Sequence, residues 1–149
     1  MTKETVRSMT MAGGIILVAG LAAWLGLAHG CENSGSGVIA GLVSIDPQFA
    51  DKVGPNDVLF VIVRRPGGSP RPVAVKRIDR PQFPVTFEIT NKDVMVQGSE
   101  LRGMVDVIAR LDKDGVAGPP QPGDLEGRFD KNPTLPGSHD LKIVIDKVY

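Results

Sequence analysis

The sequence predicts an all-β domain, an Ig-like antiparallel β-sandwich of about seven strands, preceded by one N-terminal apolar helix. Three observations carry this reading. Val- and Ile-rich runs recur between turn signals after residue 37. All 12 prolines and most of the 18 glycines lie beyond residue 30, and a chain so punctuated favours short strands over long helices. No amphipathic helical period separates the runs, which argues against alternating strands and helices.

The chain opens with Lys3 and Arg7, followed by an uncharged apolar run from Met11 to Ala28 and then His29-Gly30-Cys31. This is the order of an export signal. Three outcomes compete: cleavage after Gly30, lipidation of Cys31 as the first residue of a lipoprotein, or retention as a signal anchor. A run of 18 apolar residues spans about 27 Å as a helix, enough for a thin bilayer core. In each case the positive residues precede the apolar run, so the rest of the chain faces the periplasmic side of a bacterial cell membrane. Residues 1–30 are thus read as signal peptide or membrane anchor, 31–37 as a Ser/Gly tether, and 38–149 as the β-domain.

Within that domain, Val38 to Ile45 forms the first expected strand. Asp46 and Pro47 suit the N-cap and first position of one helical turn over 47–53, and Gly54 to Asp57 is a turn. Val58 to Arg64 is apolar on both faces and therefore central. The loop Pro66 to Pro72, with three prolines in seven residues, cannot pair in a ladder. Val73, Val75 and Ile78 are expected inside and Ala74, Lys76 and Arg77 on a wet face. Val85, Phe87 and Ile89 alternate with polar residues. Met104 to Leu111 holds a further strand, and Leu141 to Val148 closes the domain with Leu141, Ile143 and Ile145 on one face. Phe60, Val61, Ile62, Phe87, Ile108 and Ile143 are the expected core, at roughly 1.5–3 kcal/mol each. Met95 and Met104 are expected to fill core gaps.

The composition excludes several functions. Lys plus Arg and Asp plus Glu both number 17. Setting aside Lys3, Arg7 and Glu4 leaves 15 against 16, so the surplus of cations a nucleic-acid binder needs is missing. One cysteine excludes an intrachain disulfide, a CxxC pair and a haem-attachment motif. With His29 and Cys31 beside the apolar run, the domain retains only His139, too few ligands for a copper centre. No cofactor, metal site or small-molecule substrate is expected. Asp112-Lys113-Asp114-Gly115 lacks the later ligands of a calcium loop and reads as a hairpin turn. Asp124 and Glu126 flank Leu125 and are expected in a solvated loop rather than in acid/base work. Ser138-His139-Asp140 are consecutive, whereas a triad is assembled by folding, so His139 is expected in an exposed turn. No catalytic residue is assigned. Arg64, Arg65, Arg71, Lys76, Arg77 and Arg80 surround the Pro66–Pro72 loop. They form either a solvated face or a docking surface for an acidic partner or lipid headgroups.

From Gly41 to Tyr149 the chain resembles the Ig-like periplasmic domain at the C-terminus of cytochrome c-type biogenesis proteins of the CcmI/CycH family. The likeness lies in Val43 to Phe60, Pro72 to Arg77, Phe83 to Phe87, Pro120 to Gly127 and Leu141 to Val148. It implies a non-enzymatic module that works beside c-type cytochromes or their assembly machinery. Family members carry two membrane helices and a helical TPR region that holds the apocytochrome; here there is one apolar segment and no TPR repeat. Peptide holding is therefore not carried over. Two roles follow: an accessory factor of cytochrome c maturation, or a permanent structural subunit of a periplasm-facing electron-transfer complex.

Overall fold

The structure, a computed structural model, describes residues 37–67 and 71–149. The expected apolar helix, Cys31 and nearly all of the tether lie outside the described residues. Seven strands follow in chain order: β1 (Ile39–Ile45), β2 (Val58–Arg64), β3 (Pro72–Asp79), β4 (Val85–Ile89), β5 (Asp106–Asp112), β6 (Leu125–Phe129) and β7 (Leu141–Val148). Among the described residues the helical content is two short 3-10 turns, Pro47–Lys52 and Asn91–Asp93. None is long and apolar enough to cross a membrane.

The strands do not divide into two separate layers. They form one sheet in the order β3-β2-β5-β6-β7-β1-β4, curled so that the end strands β3 and β4 come close. The remaining gap is bridged beyond β4 by an Ala74–Val94 bridge and the Met95 amide, which donates to the Val73 carbonyl at 2.9 Å. The expected sandwich is thus corrected to a nearly closed barrel. Strand β1 makes the difference, because it pairs with β4 antiparallel and with β7 parallel. Alternating hydrophobicity gives each strand a face but says nothing about such a two-sided partner, and the parallel pair departs from an all-antiparallel arrangement.

Close approach of β7 to its neighbours depends on two glycines. A Cβ at Gly41 on β1 would overlap the Leu141 carbonyl, and one at Gly127 on β6 would overlap the Val144 carbonyl. Gly127 also sits at a register shift between β6 and β7.

The barrel interior is filled by Ile39, Val43, Leu59, Val61, Val63, Phe87, Ile89, Val107, Leu111, Leu125, Ile143 and Ile145, with others. Strand β2, between β3 and β5, is buried on both faces, as its unbroken apolar run requires. The Asp46 side chain accepts the Gln48 amide at 2.9 Å, with Pro47 at the first helical position. The resulting turn is 3-10.

Three packing expectations are corrected. On β3 it is Ala74 that is fully buried, with Ile78 packing against the same interior, while Val75 turns outward to a second cluster. Val73, beside the register shift near Arg64 and Pro72, also packs inward. Met95 and Met104 are 60% and 50% exposed rather than core fillers, since both lie outside any strand. Strand β6 occupies LEGRF, where only two residues are large and apolar and no run signals a strand.

Candidate functional site

Strand alternation sends Val58, Phe60 and Ile62 to the outside of β2, where a sheet facing water would carry polar residues. With Ile108 they form a second apolar cluster, each 7% exposed or less, and Val75 packs against them. The segment joining β5 to β6 runs beside this face. Asp112 Oδ1 accepts the amides of Gly115 at 2.7 Å and Val116 at 3.2 Å. Asp124 accepts those of Lys113 at 3.1 Å and Gln121 at 2.8 Å. Arg77 donates to the Gly115 carbonyl at 2.7 Å and Arg110 to that of Gly118 at 2.8 Å. Gly115, at φ +72°, lets the chain pass over Val58.

Between this loop and strands β2 and β3 lies a groove of about 700 Å³. Its apolar wall comprises Phe60, Ile62, Val75, Met95 and Pro119-Pro120, and its charged residues are Arg64 and Arg110. Arg110 is 2% exposed. Its Nε has no hydrogen-bond partner and stands 3.7 Å from Asp112 Oδ2, beyond hydrogen-bonding range. Burial raises the Asp112 carboxyl above its ordinary value. The Val116 amide lowers that of Asp114.

Asp124 and Glu126 are not solvated; each is 1% exposed. Glu126 accepts from Arg128 Nε at 3.0 Å and from the Tyr149 hydroxyl at 2.9 Å, and the Arg128 guanidinium is held above its ordinary value mainly by that bond. Lys113 is a second tie, with its ammonium 2.6 Å from Asp57 Oδ2. Asp112-Lys113-Asp114-Gly115 is therefore the root of a clamped loop. The rigid run from Pro119 to Gly123 was the available signal that this loop has a fixed course, while the burial of its acids is set by residues far along the chain.

The basic residues are distributed rather than gathered. Arg64 lines the groove, and Arg77 on the same outer face stacks 5.5 Å over the Phe60 ring while pairing with Asp79 at 2.8 Å. Lys76 faces elsewhere and pairs with Asp93 at 3.2 Å. Arg65 donates to the Arg102 carbonyl. Arg71 is exposed beside Pro72, and Arg80 is exposed at the end of β3. His139 is exposed, and Ser138 pairs with Thr134 at 2.8 Å. Among the described residues no group of three or more His, Cys, Asp or Glu is placed to hold a metal ion.

Residues 39–146 match the family model described as cytochrome c-type biogenesis protein H Ig-like domain. A protein of Aquifex aeolicus (strain VF5) described as uncharacterized is 33% identical over 111 residues, 74% of this chain and 71% of that one. Cytochrome c-type biogenesis protein CycH of Pseudomonas aeruginosa is 32% identical over 77 residues. That match covers 50% of this chain and 19% of the longer protein. Among solved structures, an alternative pilotin from the type II secretion system of Vibrio cholerae aligns at a TM-score of 0.42 and 16% identity, over 74% of this chain and 96% of that one. A likeness so distant carries no argument here.

Proposed function

Because the chain belongs to the family of cytochrome c-type biogenesis protein H Ig-like domains, we propose that it is a non-catalytic accessory module of cytochrome c maturation, held at the periplasmic face of the membrane by its apolar N-terminal run. The carrying observation is the extent of the family match, which runs from the first residue of β1 into β7. The engagement of the buried acids supports a binding role over a catalytic one. Asp112 and Asp124 hold loop amides, and Glu126 is held by Arg128 and Tyr149. Its partners are apocytochrome or the proteins that ligate haem to it, met through contact surfaces.

Deleting the gene in the bacterium that carries it and staining membranes for covalent haem tests the reading. Loss of c-type cytochromes, with apocytochrome still synthesised, is the expected result. Undiminished covalent haem would overturn it. Purification of the tagged full-length protein in a fixed ratio with mature haem proteins would instead favour a permanent subunit of an electron-transfer complex.

A further inference from the structure

We infer that the groove between β2, β3 and the clamped loop binds an extended segment of a partner protein that presents an apolar side chain beside a carboxylate. This deepens the partner-binding reading and rests on it. The groove joins features seldom left without purpose on a sheet's outer face: an apolar wall around a volume of about 700 Å³, and a rim methionine that is 60% exposed. Val96, next to Met95, and Val116, next to the lining Ala117, are 65% and 64% exposed. A ligand site of this size is ordinarily apolar with a few placed polar groups that fix orientation, and methionine adapts its shape to what it meets.

Charge decides the chemistry of the occupant. Among the described residues, the two charged ones lining the groove are arginines, and no carboxylate lines it. Arg64 forms no ion pair with any acid among the described residues. Arg110 is almost wholly buried, yet it has one carbonyl acceptor, an unpartnered Nε and an acid only at 3.7 Å. A cation withdrawn from water attracts a nearby anion more strongly than an exposed one does. Apolar surface beside Arg64, which has no ion pair among the described residues, and beside an Arg110 whose Nε lacks a hydrogen bond therefore selects acidic-apolar peptide over basic or purely polar peptide. The rigid prolines at Pro119-Pro120 keep the loop wall in place without loss of freedom on binding.

The test uses the full-length protein in detergent, carrying methyl-labelled methionine, and the acetylated hexapeptide Leu-Glu-Leu-Glu-Leu-Glu as probe. Leu-Lys and Ser-Glu repeats of the same length serve as comparisons. The Leu-Glu peptide is expected to shift the Met95 methyl signal and leave Met104 in place, and neither comparison peptide is expected to do so. By anisotropy of the labelled peptide, Arg64→Glu should weaken binding about tenfold, the scale of one charge-assisted contact. Met95→Ser, at an exposed site, should weaken it also. A Met95 signal unmoved by millimolar Leu-Glu peptide, or moved equally by the Leu-Lys peptide, would overturn the proposal. So would unchanged affinity in both variants with melting curves intact. Covalent haem lost on deletion, together with a silent groove, would leave the maturation role standing and refute this site alone.

Discussion

Asp124 closes the loop that Asp112 opens. The Asp124 carboxylate reaches back across 11 residues to the Lys113 amide while also holding that of Gln121, and Asp112 holds Gly115 and Val116. Two buried acids of like charge thus fix the path of one loop, each through two backbone amide donors, with Arg110 Nε standing 3.7 Å from Asp112.

Asp124→Ala should cost at least about 3 kcal/mol, because it removes two amide bonds to a buried carboxylate worth about 1.5–3 kcal/mol each. Urea unfolding measures this. A loss below about 0.5 kcal/mol, the scale of an ordinary surface change, would mean that the loop does not depend on the acid.

Asp112 gives a pH signature. Its folded pKa is raised above the ordinary 3.8 by burial, so its ionisation opposes folding. The cost is absent below the ordinary value, grows as pH rises through it, and is complete above the folded value. Asp114 is shifted the other way by the Val116 amide; its contribution is present above the ordinary value and lost as pH falls through the folded one. Asp112→Asn removes the first effect and keeps an acceptor for Gly115. The difference in Tm between variant and parent should therefore move in the variant's favour between pH 3 and pH 7. A difference that is flat or moves the other way would contradict the assignment.

Gly127→Ala should destabilise by about 3 kcal/mol, the upper end for overpacking, since the added methyl lies 2.8 Å from the Ile145 Cα and overlaps the Val144 carbonyl. Gly118→Ala is the control: its nearest new contact is at 3.9 Å, and a change within about 0.5 kcal/mol is expected. Equal urea midpoints for the two variants would show that the β6–β7 approach is loose.

Asn132 pairs with both backbone groups of Val107, accepting its amide at 2.9 Å and donating to its carbonyl at 3.0 Å. The side chain thereby extends the pairing of β5. Asn132→Asp retains the acceptor and sets a carboxylate against the carbonyl, so a loss of about 2 kcal/mol is expected from an orphaned buried acceptor. It should be largest near neutral pH and shrink in acid. A loss independent of pH would assign the effect to packing alone.

Strands with regular apolar spacing were legible from sequence. Leu141, Ile143 and Ile145 on β7 and Phe87 and Ile89 on β4 are buried as their alternation requires, and β2 is central as its continuous run requires. Strand β6 was not legible, since Glu126 is buried through partners as distant as Tyr149. The inward turn of Ala74 was hidden because larger Val75 is the more apolar neighbour, and its outward face becomes favourable only beside Phe60 and Ile62. The groove needs β2, β3 and the loop together, so of its residues only Arg64 stands among the docking candidates the sequence offers, while Phe60, Ile62, Val75 and Met95 read as core. Cross-chain partnership, unlike alternation, leaves no local trace.

The double pairing of β1 also sets an order on synthesis. As the chain leaves the ribosome, β1 can meet β4 within about fifty residues, at the usual pace of several residues per second. Its other edge waits for β7, which is made last of the seven. Until then the nascent sheet offers an open margin to any passing strand, and the early product needs either a holding chaperone or swift completion.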